Sequence, residues 1–287
     1  MTTLTLTPPA PVRWWNDRLA LSLGLLVLVI LVGLLAPLLA PHDPNATNLM
    51  SRMAPPVWME GGSWTHPLGT DQIGRDLLSR TFYGIRTSFS IAAFGLIFSA
   101  VLGITIGVLS GLIGGWCDRI LMMFVDVFIA LPNLLLILCG IAVLGTQTWV
   151  LVVMIGLVRW EAYARLVRGQ VLVVRELGYV EASRVLGAGR RWIIMRHVLP
   201  NLASPLIVIL TLSFPGVLLM ESGLSFLGVG VQPPTSSLGR MIGDGRNYLI
   251  NAWWIAGIPS LAVVIITLLF QVAGDALRDR LDEVNHD

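Results

Sequence analysis

The sequence predicts an all-α, polytopic membrane protein with about six transmembrane helices. Three observations carry this reading. Hydrophobic residues make up 55% of the 287-residue chain and charged residues only 13%, about half the share of an ordinary soluble domain. The mean hydropathy is +0.78. Along the chain, apolar stretches of roughly 20 residues recur about six times, each long enough to cross a hydrocarbon core about 30 Å thick as a helix.

The first stretch covers about 19–40 and follows the polar, proline-containing residues 1–18. It exceeds a signal-peptide core of about 7–15 residues, and no A-x-A-like site follows, so it is expected to remain as a span. Residues 41–87 form a polar segment rich in Pro and Gly. Further spans are expected at about 88–113, 120–144, 148–167, 204–228 and 251–274. They leave an arginine-dense segment at 168–203, a loop at 229–250 and a short charged tail. The chain thus divides into an N-terminal segment, 1–87, and a five-helix region, 88–287.

All 19 basic residues are arginine. With both termini in the cytoplasm, the inside holds Arg13, Arg18, Arg119, Arg165, Arg168, Arg175, Arg184, Arg190, Arg191, Arg196, Arg278 and Arg280. The outside holds Arg52, Arg75, Arg80, Arg86, Arg240 and Arg246, and Arg159 lies within a span. The positive-inside rule favours that orientation. The lack of lysine excludes a Walker A loop, whose lysine holds the β/γ-phosphates. Any ATP must therefore be bound by another chain. A net charge of +2 is too small to mark a nucleic-acid partner.

Gly103, Gly107 and Gly111 repeat along one helix face and predict close helix packing in lipid. Pro132 and Pro215 are expected to kink their spans, as packing features or as a pathway lining. Cys117 and Cys139 read as small buried hydrophobes. His42, His66, His197 and His286 show no pair at metal-ligand spacing, so no metal site is expected.

Residues 176–201 read as two short helices, the first ending at Gly187 and the second at Pro200. Small Ala182 and Ser183 allow close approach of another surface. Arginines supply donors for acidic groups or lipid phosphates. Alone, this pattern is equally a hairpin resting on headgroups. Upstream, Thr70 is a candidate N-cap, Asp71 places negative charge at a helix start, and Asp71 and Arg75 are an i,i+4 pair. That reads as a structural cap, or as part of docking or gating. Asp126 and Glu221 lie in or near apolar spans, where ionisable groups face a partner or a water-filled cavity. Glu221 is expected at a subunit interface or pathway, or paired with an arginine such as Arg86.

The spacing Glu181-Ala182-Ser183, three residues, Gly187, nine residues, His197-Val198-Leu199-Pro200 resembles the EAA loop of inner-membrane subunits of bacterial ABC importers. Ser183 and His197 depart from the family's Ala and Ile, and histidine is usual in the peptide and nickel branch. Residues 66–76, His-Pro-Leu-Gly-Thr-Asp-Gln-Ile-Gly-Arg-Asp, with Ser79, Arg80, Gly84 and Arg86, resemble the signature of the C-type subunit of dipeptide, oligopeptide and nickel permeases. Gly114-Gly115, Asp118-Arg119, Asp126, Ala130-Leu131-Pro132, the run Glu221 to Gly228 and Gln232-Pro233-Pro234 match in order.

This resemblance implies a type I ABC importer transmembrane fold in a multi-pass protein of the bacterial inner membrane. Its function would be half of a pathway for peptides or related small solutes, with no catalysis on the chain. It implies a homologous B-type permease subunit, two ABC ATPase subunits that bind ATP and magnesium, an extracytoplasmic solute-binding protein and membrane lipid as partners. By the same resemblance Glu181, Ala182, Ser183, Gly187, Leu199 and Pro200 form the ATPase-coupling loop. Gly69, Thr70, Asp71, Gly74, Arg75 and Asp76 form the extracytoplasmic signature. A secondary transporter or channel would instead require inverted repeats and broken helices, and an intramembrane enzyme would require a nucleophile–base or metal set at one depth. Neither pattern emerges.

Overall fold

The computed structural model describes residues 14–284; Arg13 and His286 lie outside them. The described chain is a helical bundle without a named strand. Helix α1 (Trp14–Leu34) is followed by a single turn, α2 (Ala36–Leu39), and a long loop. Helix α3 (Leu77–Ile113) comes next, then α4 (Gly115–Ala130), α5 (Asn133–Leu144), α6 (Thr148–Leu157) and α7 (Trp160–Val174). A hairpin follows, made of α8 (Gly178–Val185), the turn α9 (Arg190–Ile193) and a π-helical turn at Ile194–Val198. Helix α10 (Leu199–Phe226), α11 (Leu238–Gly245) and α12 (Trp254–Val284) complete the chain.

Three described helices are long and apolar enough to cross a membrane: Leu77–Ile113, Arg191–Phe226 and Trp254–Leu281. The α4–α5 pair passes that test only as one span broken by 92°. Ala20–Leu34 and α6 are shorter apolar helices. The polytopic helical class holds, and the count of about six is not reproduced by length and composition.

Helix α3 is the axis of the bundle. Its 37 residues span about 55 Å at 1.5 Å per residue, well beyond a hydrocarbon core. It starts eleven residues before the expected position near 88, because the Asp76 side chain accepts the Ser79 N–H and caps it. Its extra turns carry Ser79, Arg80 and Thr81, all buried; Ser79 accepts the His42 N–H and Arg80 donates to the Pro44 carbonyl of the preceding loop. Helix α3 packs against α7 and α6 on one side and α10 and α1 on others.

The α3–α7 contact depends on glycine. A Cβ at Gly103 would lie 2.5 Å from the Trp160 carbonyl oxygen, and one at Gly107 would lie 2.6 Å from that of Ala164. At Gly111 it would lie 2.7 Å from Val171 Cγ1. The seam predicted from spacing is therefore a backbone-to-backbone approach. Lipid tails are as apolar as leucine, so van der Waals contact rather than water release drives such packing.

Three sequence expectations about the helices change. Pro132 does more than kink a span: Leu131 and Pro132 are both extended, and α4 and α5 separate there. The expected span at 148–167 breaks at Val158–Arg159, and α7 continues into the arginine-dense segment. Pro215, in contrast to Pro132, lies buried within an α10 that runs on through it. Pro200 does not end a helix; the helical run Arg191–Phe226 continues through it. The π turn before it, closed by Leu199 N–H on the Ile194 carbonyl, accommodates the proline ring. The expected burial of the cysteines also fails, since Cys139 is exposed and Cys117 half-buried.

Gly107→Leu should prevent α3 and α7 from closing. Overpacking of this kind costs about 1–3 kcal/mol or more, so the folded yield in membranes should fall sharply. Gly169→Ala, on α7 where an added Cβ meets nothing within 4 Å beyond its own helix backbone, should leave it unchanged. Monodisperse yield after solubilisation reads both.

Candidate functional site

The signature residues 69–76 close into one compact knot ahead of α3. Gly69 and Gly74 have positive φ, at 80° and 78°, a region open to glycine at no steric cost. A Cβ at Gly74 would lie 1.8 Å from the Asn48 carbonyl oxygen. Thr70 is fully buried; its N–H donates to the Ala54 carbonyl and its hydroxyl accepts the Ala54 N–H. It is therefore a loop clamp and not an N-cap. Asp71 accepts the N–H groups of Ile73 and Arg75, each at 3.0 Å, so it closes a turn and does not begin a helix. Its other oxygen takes Arg75 Nε at 2.6 Å and lies 3.5 Å from Arg80 Nε. The expected Asp71–Arg75 pair exists, in a loop. Trp254 Nε1 donates to the Thr70 carbonyl and ties the knot to the start of α12.

At the other end of α3, the 176–201 segment forms a hairpin anchored by apolar burial. Val180, Ile193 and Val198 pack with Val167, Val171 and Val174 of α7 and Leu202 of α10. Arg175 donates to the Gly111 carbonyl at 3.1 Å. Helix α8 ends as expected. Gly187 has φ 88°, its N–H bonds the Arg184 carbonyl, and the Ala188 N–H bonds the Ser183 carbonyl. This is a Schellman cap. With Val180 turned inward, α8 leaves Glu181, Ala182 and Gly187 outward. Val185 and Leu186 are 83% and 87% exposed. Leu199 and Pro200 are also exposed, at the base of α10.

The two departures from the family pattern meet. The Ser183 hydroxyl donates to the Tyr179 carbonyl at 2.8 Å and lies 3.3 Å from His197 Nε2. The His197 ring also stands against Tyr179 and Trp192, and Asn201 bonds both the Tyr179 hydroxyl and the His197 carbonyl. Sequence spacing placed these residues on separate helices and gave no sign that they buttress each other.

Asp126 and Glu221 are not brought together. Asp126, 62% exposed, pairs with Arg165 across α4 and α7. Asp118 receives Arg168 in a fork, Nε at 2.6 Å and Nη2 at 2.7 Å, and also accepts the Ser110 hydroxyl. Opposite charges inside neighbouring apolar segments were the available signal for Asp126 and Arg165, whereas Asp118 and Arg168 lie just outside the expected spans. Glu221 is fully buried and does not pair with Arg86, which corrects that expectation. The Ser225 hydroxyl donates to it at 2.7 Å, and Ser222, Ser88 and Ser237 complete its partners. Three of these hydroxyls also accept backbone N–H groups of the following loop. Ser225 takes Val231, Ser88 takes Leu238 and Ser237 takes Arg240. Glu221 is thus the hub of an internal network that holds the loop after α10 and the start of α11 on the bundle.

The fold also brings together two histidines that sequence spacing kept apart. The rings of His42 and His66 lie 4.8 Å apart, centre to centre, beside Asp76.

Residues 103–283 match the model of the family described as binding-protein-dependent transport system inner membrane component. Residues 15–56 match the N-terminal TM domain of oligopeptide transport permease C. The chain belongs to this transport family. It is 38% identical to a di/tripeptide transport system permease protein of Pseudomonas aeruginosa, over 97% of this chain and 94% of that protein. It is 36% identical to a glutathione transport system permease protein of Pectobacterium atrosepticum, over 94% of this chain and 88% of that protein. The MetNI methionine ABC transporter in an inward-facing conformation superposes with a TM-score of 0.57 at 22% identity, covering 69% of this chain and 94% of that chain. An amino acid ABC transporter superposes at 0.54 and 14%, over 70% and 94%. The permease chain is therefore a multi-pass inner-membrane subunit of the ABC importer class, with the fold of such subunits.

Removing the Glu221 carboxyl strands hydroxyls that have no access to water. A stranded buried polar group costs about 1–3 kcal/mol. Glu221→Ala should lower the thermal midpoint of the purified permease complex, and Glu221→Gln should keep most of it. Equal midpoints for Glu221→Ala and the parent would contradict the hub.

Proposed function

We propose that this permease subunit forms half of a translocation pathway for small peptides and is driven by ATPase subunits docked on the α8 hairpin. The observation that carries the reading is the hairpin itself. One face is locked onto α7 and α10, while the other offers Glu181, Ala182, Val185 and Leu186 to a partner. Apolar side chains this exposed, rimmed by polar ones, mark an interaction surface. The other half of the pathway is a homologous B-type subunit. Two ABC ATPase subunits bind the ATP and magnesium, and an extracytoplasmic binding protein delivers the cargo.

The arginine distribution supports both termini, and the hairpin, on the cytoplasmic side. The 41–76 loop, with its knot at 69–76, then lies outside, where a binding protein docks. The relatives are named for di/tripeptide and glutathione transport, and D,D-dipeptides in Escherichia coli. Short peptides are the shared chemistry. The secondary-transporter reading has no support, because family membership places the chain with binding-protein-dependent systems.

Glu181→Lys should reverse the charge on the docking face without touching the buried core. ATP-driven peptide uptake in vesicles should fall at least tenfold, and the ATPase subunits should no longer co-purify. Uptake that persists with normal co-purification would overturn the coupling role.

A further inference from the structure

We propose that His42, His66 and Asp76 form a binding site for a divalent transition-metal cation on the face of the protein that carries the 41–76 loop. The three donors come from two separate parts of that loop. His42 follows α2, whereas His66 and Asp76 flank the glycine knot. Their ligand atoms all lie within 4.8 Å of one another. His66 Nδ1 is 2.9 Å and His42 Nδ1 3.9 Å from Asp76 Oδ1. Ligands at 2.0–2.1 Å in a tetrahedral zinc site stand about 3.3 Å apart. Small side-chain rotations reach that spacing, and two imidazoles with one carboxylate are a donor set that zinc accepts with an open fourth position.

The surroundings suit a cation. Asp76 is 1% exposed, and its other oxygen is fixed by the Ser79 N–H and hydroxyl at 2.8 and 2.7 Å. That leaves Oδ1 aimed at the two rings, as an outer hydrogen bond orients a metal ligand. His42 Nδ1 is shielded from solvent and has no hydrogen-bond partner, a cost that a metal bond removes. The His42 backbone N–H is itself held by Ser79 Oγ at 3.1 Å. His66 coordinates through Nδ1 once its proton resides on Nε2, so the neutral ring needs no net proton loss. The nearby guanidinium groups of Arg75 and Arg80 are turned to Asp71, and neither contacts the Asp76 oxygen facing the rings. A bound ion would staple the segment after α2 to the N-terminal cap of α3.

The test uses the assembled importer with a histidine-free tag, stripped with chelator and dialysed against Zn²⁺ without binding protein. Parent and variants are compared, so sites on partner subunits cancel. The parent should hold one more zinc per copy of this chain than His42→Phe, which keeps the ring against His66 but lacks the nitrogens. His66→Ala should lose the same equivalent, and His197→Ala should retain it. Zinc should raise the thermal midpoint of the parent and leave that of His42→Phe unchanged. Equal zinc content in parent and His42→Phe, or equal midpoint shifts, would overturn the site.

Discussion

The structure depends first on how closely α3 and α7 approach. Three glycines remove every side-chain atom between the α3 backbone and the Trp160 and Ala164 carbonyls or the Val171 side chain. In lipid this contact cannot be replaced by burial from water, so its geometry has little tolerance. Helix α7 continues past the seam to Val174 and turns directly into the hairpin. The hairpin is then pinned twice, by the valine cluster of α7 and by Arg175 on the Gly111 carbonyl. The exposed face of α8 is thereby joined to the longest of the described helices. At the far end of that helix the Asp76 cap joins it to the knot. One 37-residue helix links the hairpin to the knot.

Polar groups inside the bundle obey the complementary constraint. Hydrocarbon offers no partner, and two of the carboxylates, Asp118 and Glu221, find theirs within the chain. Asp118 meets this with a two-pronged arginine and Glu221 with serine hydroxyls that pass the interaction on to loop N–H groups. The second solution needs no opposite charge. It also explains why a carboxylate sits at the base of a loop rich in Gly and Pro: the loop has few side chains of its own to hold it. Gly239 fits against the Ser222 carbonyl, where a Cβ would come within 2.2 Å.

Much of this was legible in the chain. Hydropathy gave the helical membrane class, and the four-residue glycine spacing gave the seam. Gly187 marked the end of α8 because only a residue free to adopt φ near 88° closes that cap. What escaped were features set by tertiary context. Hydropathy could not place the start of α3, since its first turns bury Ser79 and Arg80 against a distant loop. Pro200 looked like a stop because the π turn that precedes it has no sequence signal. Glu221 invited a charged partner, yet serines from α3, α10 and the start of α11 converge on it. The pairing of Ser183 with His197, and of His42 with His66, arises only when separate segments fold together.

The contacts of the hairpin with α7 and α3 join the three into one rigid body, so a displacement at the exposed face of α8 is carried into the bundle. Spin labels at Val185 on α8 and Ile113 at the end of α3, both exposed, report on it. Double electron–electron resonance on the assembled importer, with and without ATP trapped, measures their separation. The account predicts one distance distribution that is the same in both states. A distance that shifts with nucleotide, while α3 and α7 stay in contact, would contradict it.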